Sequence, residues 1–251
     1  MQSSIWTQCG GVSELTELRL SPYRAVEAQH QISTRKLVAS DAEQALLEEL
    51  IDGSKPPDVT AGRLHYLLST PFRYPPLRHG SRFGARHERG IWYGSEALRT
   101  LFAEVAYYRL LFLAGTHAAL EPLTTALTTF RARVQTARGI DLTRPPFDAH
   151  REQLASRVRY DATQALGTAL RADDVAVLRY TSARDVAGGS NVAVLSPAAF
   201  GRRRPQELRT WHCTSMHTHV EVAARDYFAR EVHTYAAADF MVNGALPAPA
   251  L

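Results

Sequence analysis

Glu104 occupies a position that chemistry must explain. It stands three residues after Leu101 and four before Tyr108, so on a helix it shares a face with both. A carboxylate on an apolar face is costly to bury unless it meets a cation, a hydrogen-bond donor or a ligand. An ion pair with Arg99, Arg109 or an arginine of the preceding loop would satisfy it; so would a bound molecule. That loop contains Gly80-Ser81-Arg82-Phe83-Gly84, where glycines let the backbone approach a ligand and the Arg82 fork can bind two pyrophosphate oxygens. A turn arginine facing water would carry the same motif. A third group is Tyr180-Thr181-Ser182-Ala183-Arg184, followed by Gly188-Gly189 and Asn191. Hydroxyls at strand ends orient ligands, and they also build turns.

The histidines suggest another chemistry. His212, His217 and His219 surround Cys213, and on one strand Cys213, His217 and His219 would share a face. The spacing fits no standard zinc module, so no metal is expected. G-x-S-x-G, P-loop and G-x-G-x-x-G motifs are absent, leaving serine-hydrolase, Walker and Rossmann chemistry without support.

These residues need elements to hold them. Residues 1–20 show little periodicity and read as a loosely held arm. Ser40-Asp41 starts a helix through Leu46, Leu47, Leu50 and Ile51, stopped by Gly53 and Pro56-Pro57. Residues 63–68 form a short strand or buried helical turn ended by Pro71, and Phe72 to Gly84 is irregular. Ile91-Trp92-Tyr93 is an exposed aromatic strand that turns at Gly94 into a helix with Ser95 as N-cap. That helix ends at Gly115, is apolar nearly all round and should be buried. Thr124–Thr136 reads as one strand, 161–170 as a helix, 175–180 and 192–195 as strands, Trp211–Val222 as one strand, and the tail near Asp239-Phe240 as helical. Strands and helices mix without a βαβ rhythm, so the expected class is α+β.

At 251 residues the chain can bury a sizeable core, and 45% apolar with 22% charged residues excludes disorder and collagen. No apolar run is long enough to span a bilayer, and no basic segment leads into an apolar one at the start. Two cysteines build no disulfide framework. A cytoplasmic protein away from membranes is therefore expected. The net charge is +4, and all but two of the 29 basic residues are arginine. The only tight basic run, Arg202-Arg203-Arg204, is too narrow for a nucleic-acid footprint, so direct nucleic-acid binding is not expected.

Taken together, Arg82, Tyr93, Glu104 and Ser182 resemble the arginine–tyrosine–glutamate–serine series of the RES-domain family, with Gly167 and Asn191 fitting its later part. The resemblance covers roughly residues 60–200. Arg73 and Arg24 compete with Arg82 for the motif arginine, and Arg82 has the better spacing to Tyr93 and Glu104.

The resemblance implies an ADP-ribosyltransferase-like mixed sheet flanked by helices, with an N-terminal arm. Residues 1–60 would be an arm and helix packed on the core, and 61–251 the NAD-binding domain, one compact unit overall. It implies a toxin of a bacterial toxin–antitoxin pair that takes NAD as substrate and needs no metal. Cleavage of the nicotinamide–ribose bond would proceed by hydrolysis or phosphorolysis; ADP-ribosyl transfer to a host protein and a catalytically idle binding module are the alternatives. Catalysis would fall to Glu104, Arg82, Tyr93 and Ser182, and NAD contacts to Arg82, Tyr93, Ser182, Arg73 and Asn191. A small helix-turn-helix antitoxin is the implied partner, and a homo-oligomer is compatible with the pattern.

Overall fold

A ten-stranded mixed sheet organises the chain in the order β1-β5-β6-β7-β3-β2-β4-β8-β9-β10. The structure is a computed structural model that describes residues 4–28, 37–58, 60, 62–74, 78–118, 120, 122–226 and 230–249. The strands are β1 (Thr16–Leu20), β2 (Tyr23–Glu27), β3 (Trp92–Ser95), β4 (Leu123–Arg131), β5 (Val134–Asp141), β6 (Val177–Thr181), β7 (Ser190–Val194), β8 (Gln206–Ser215), β9 (His219–Ala224) and β10 (Val232–Ala236). The helices are α1 (Ile5–Gln8), α2 (Asp41–Ser54), α3 (Tyr66–Arg73), α4 (Leu98–Ala114), α5 (Arg151–Leu154) and α6 (Asp161–Ala172). Every neighbouring pair is antiparallel except β5–β6, which is parallel. The class is α+β, as the irregular alternation of strands and helices implies.

The connections dictate the sheet's shape. Strands β1 and β2 stand five places apart, about 24 Å in a flat sheet. Only Ser21 and Pro22 join them, and so short a link reaches about 10 Å. Ala132 and Arg133 join β4 to β5 under the same constraint, and Ala132 N–H donates to Pro22 O at 3.0 Å. The sheet must therefore bend back on itself at this corner. Leu18, Phe130, Val134, Val177 and Val194 share one core with Trp92 and helix α3.

Strand β2 meets β3 at one register pair, Tyr23↔Ser95, whereas it pairs with β4 along its whole length. Beyond that pair β2 and β3 diverge, and α4 lies against both. The open seam is where a ligand can enter.

Several local expectations are corrected. Over its described residues the expected loose arm of 1–20 holds α1, a 3-10 turn at Gly11–Glu14 and β1: Ile5 and Trp6 are buried, Trp6 stacks on Phe147 and its Nε1 donates to Asp173 Oδ2 at 2.5 Å. Conversely, α2 starts at Asp41 with Ser40 Oγ accepting from Glu43 N–H at 3.2 Å, yet none of its described residues is fully buried. Pro71 lies inside α3 instead of ending it. Ser95 belongs to β3 because its hydroxyl is committed across the sheet, and Ala97 precedes α4. Residues 124–136 divide at the sheet corner into β4 and β5, and 211–222 divide into the β8–β9 hairpin. The tail near Phe240 is a single 3-10 turn, Ala237–Phe240.

Candidate active site

Helix α4 brings Glu104 to the seam between β2 and β3. Its buried stripe includes Leu101, Phe102, Ala106, Tyr107 and Leu110, while Tyr108 and Phe112 are about half exposed, so it is not buried all round. The exposed side is the wall of a cavity of 510 Å³, lined by Glu104, Tyr108 and Phe112 on α4 and by Arg24, Arg82 and Tyr93 on other segments.

Register places the partners of Glu104. Asn191 on β7 lies opposite Ser95 of β3 and Tyr180 of β6, and Ser182 follows the end of β6. Asn191 Nδ2 donates to Glu104 Oε1 at 2.6 Å, and Ser95 Oγ donates to Asn191 Oδ1 at 2.6 Å, fixing the carboxamide's orientation. Ser182 Oγ donates to the same Oε1 at 2.6 Å. It accepts from Arg184 N–H at 3.1 Å and Asp185 N–H at 3.0 Å. With both lone pairs of Ser182 occupied, its one proton is directed at Glu104. Among the described residues Glu104 forms no ion pair, and Oε2 accepts no hydrogen bond. The salt-bridge alternative is set aside; two neutral donors hold one oxygen, and the other is available to the cavity.

The Arg82 loop is a closed turn, with Ser81 N–H donating to Gly84 O at 2.8 Å. Its glycines serve that turn and the packing of α6, where a Cβ on Gly167 would fall 1.9 Å from Phe83 O. Arg82 is buried, not turned to water. Its Nη1 donates to Leu154 O and Ser156 O, both at 3.1 Å, and its guanidinium lies 4.6 Å from the Tyr160 ring centroid. Arg82 lines the cavity, and these two carbonyls engage its Nη1 alone.

Tyr93 is half-buried, so the exposed aromatic strand is corrected: Trp92 beside it is wholly buried. Tyr93 Oη accepts from Phe83 N–H at 3.1 Å and bonds Ser81 Oγ at 2.9 Å, holding the Arg82 loop. Burial pushes its phenol up to about 12, so it stays neutral at physiological pH. Arg24, passed over on spacing, also lines the cavity. Its Nη1 donates to Tyr93 O at 2.7 Å across the seam, and burial lowers its guanidinium to about 10, still a cation at neutral pH.

Two positions fall elsewhere. Ser182 is buried behind Glu104 and does not line the cavity; Arg73 lies outside it, donating Nε to Pro56 O. Sequence spacing missed Tyr160 and gave Tyr180 a place in the third group without a site role; both line the cavity from segments remote from α4 in the chain. The histidine–cysteine alternative is not supported: Cys213 is a buried core residue, His212 is exposed on the opposite face, and a hairpin separates them from His219. Among the described residues no group of three or more His, Cys, Asp or Glu side chains is placed to hold a metal, and no helix is long and apolar enough to cross a membrane.

Comparison with known proteins adds to this geometry. The family model of the RES domain matches residues 55–215. None of the curated proteins matches. The chain is similar to a chain in the crystal structure of the M. tuberculosis MbcT–MbcA toxin–antitoxin complex, with 16% identity, 78% of this chain and 84% of that one covered, and a TM-score of 0.45. The family match spans more than half of the chain and contains the seam residues from Arg82 through Tyr93, Glu104 and Ser182 to Asn191. The chain therefore belongs to the RES-domain family.

Proposed function

We propose that this chain is a toxin that consumes NAD by cleaving its nicotinamide–ribose bond, and that a cognate antitoxin restrains it. The observation that carries the reading is Glu104, with Oε1 fixed by Asn191 and Ser182 and Oε2 unspent at the cavity wall. A carboxylate so held favours an oxocarbenium-like ribosyl cation, as in glycoside hydrolysis. In the proposed step the ribose C–N bond breaks and its electron pair neutralises the pyridinium nitrogen. Nicotinamide leaves, and water or phosphate bonds to the ribosyl carbon and gives its proton to solvent. Held in advance, the carboxylate needs no reorganisation as charge develops.

The other residues fit this substrate. Arg82 and Arg24 supply two cations for the diphosphate, and the Tyr93 ring gives a flat surface for nicotinamide. Ser182 acts by orienting Glu104, with Asn191 beside it. Half-exposed Tyr108 and Phe112 form an apolar rim that an antitoxin segment would cover. The net charge of +4 favours encounter with an acidic partner surface.

Incubating the purified chain with NAD and following free nicotinamide tests the reaction. Release without a protein acceptor supports hydrolysis or phosphorolysis; release only with one assigns ADP-ribosyl transfer; none leaves a binding module. Induction in bacteria tests the biology. Growth should stop with the wild type, continue with Glu104→Gln, and recover when the adjacent gene is co-expressed. Normal growth with abundant soluble protein and undiminished NAD defeats the toxin reading.

A further inference from the structure

Ser182 begins a closed loop. Its N–H donates to Gly189 O at 2.8 Å, and Gly188 N–H donates to Asp185 O at 2.9 Å. The carboxylate of Asp185 is almost fully buried within this loop. Its Oδ1 accepts from Ala187 N–H at 3.0 Å, while Oδ2 leaves the loop and accepts from Thr100 Oγ1 of α4 at 2.9 Å. Thr100 and Glu104 are four residues apart, so they project from one helix face, a turn apart. The loop therefore hydrogen-bonds α4 through Ser182 with Glu104 and Asp185 with Thr100, and the Arg184 guanidinium lies 3.5 Å from the Tyr107 ring centroid of the same helix. The apolar stripe of α4 seats the helix in the core, and these contacts hold the loop against it.

We propose that Asp185, acting through Thr100, is a positioning residue that locks helix α4 and the Ser182 loop together so that Glu104 stays beneath its two donors. The inference rests on the functional reading above for its effect on turnover, but not for its geometry. Two observations support a built contact. Gly189 is packed so tightly that a Cβ there would lie 2.1 Å from Thr100 Oγ1 and 2.6 Å from Asp185 Oδ2, so a side chain would wedge loop from helix. Tyr235 Oη donates to Arg99 O at 2.7 Å, pinning the same turn of α4 from β10. Arg99 Nη2 also lies 3.2 Å from Asp185 Oδ1, but its side chain is 52% exposed, so solvent weakens that ion pair. The buried Thr100 hydroxyl bond is therefore the stronger of the two contacts that Asp185 makes with α4.

Thr100→Val tests it, because valine keeps the shape and removes the donor; Thr100→Ser restores the donor. Nicotinamide release is measured as separate kcat and KM, alongside hydrogen exchange at the Arg184 and Asp185 amides that bond Ser182 Oγ. The expected result for Thr100→Val is a kcat lower by about tenfold with KM within about twofold, since misplacement of a reacting group costs rate more than binding. Both amides should exchange faster, and Thr100→Ser should recover kcat and protection. A Thr100→Val protein with wild-type kcat overturns the proposal, as does a loss that Thr100→Ser fails to recover or one confined to KM. If the wild type releases no nicotinamide, the functional reading fails separately. Amide exchange then decides the clamp alone, and unchanged protection in Thr100→Val overturns it.

Discussion

Asn191 donates to the same oxygen of Glu104 that already holds the Ser182 hydroxyl, so the carboxylate is bound at one end and unspent at the other. This asymmetry makes Glu104→Gln a clean probe. The glutamine oxygen can accept both hydrogen bonds while its amide nitrogen takes the place of Oε2. The melting temperature should stay at the wild-type value, and NAD cleavage should fall at least about a hundredfold, the order expected when one preorganised stabiliser is removed. Retained turnover would remove Glu104 from the mechanism.

Ser182→Ala should behave differently. It removes a donor from Glu104 and leaves the Arg184 and Asp185 amides without their acceptor. Unsatisfied buried groups cost about 1–3 kcal/mol each, so urea denaturation should show a loss of stability together with the loss of turnover. A variant of wild-type stability that binds NAD weakly would assign Ser182 to ligand contact instead.

The arginines separate by calorimetry with NAD. Arg82→Lys keeps the charge but loses the planar fork, and affinity should weaken by about tenfold. Arg24→Lys should weaken binding too, because its guanidinium also lines the cavity and bridges to Tyr93 O. Arg73→Lys should leave affinity unchanged, since Arg73 lies outside the cavity. Wild-type affinity in Arg82→Lys would move the diphosphate role to Arg24.

Alkaline pH should destabilise the fold. Burial pushes the Tyr93 and Tyr107 phenols up to about 12, against about 10 in an unfolded chain. Between these values the unfolded state has lost protons that the folded state keeps, so stability falls as pH rises. A phenolate absorbance titration should show a group of tyrosines that ionises only near pH 12 or on unfolding. A single transition near 10 in folded protein would contradict the burial of Tyr93 and Tyr107.

Local chemistry was legible in the sequence wherever neighbours in the chain decide it. The Ser40 cap, the end of α4 at Gly115, the short apolar strands near 177 and 192, and the carboxylate on an apolar helix face all follow from adjacent residues. The expectation of a loosely held arm failed because β1 pairs with β5, and Trp6 bonds Asp173, both more than a hundred residues away. Burial of every apolar residue of α4 failed for a related reason, since the diverging seam leaves Tyr108 and Phe112 facing a cavity. Tertiary structure also decided which donors and acceptors of the motif are already spent. Sequence proposed Arg82, Tyr93, Glu104, Ser182 and Asn191, but a hydroxyl or guanidinium has only so many donors and acceptors. Only the fold shows that Ser182 spends its own on Glu104 and two amides, that Tyr93 Oη holds the Arg82 loop, and that Arg24 reaches the cavity where Arg73 does not.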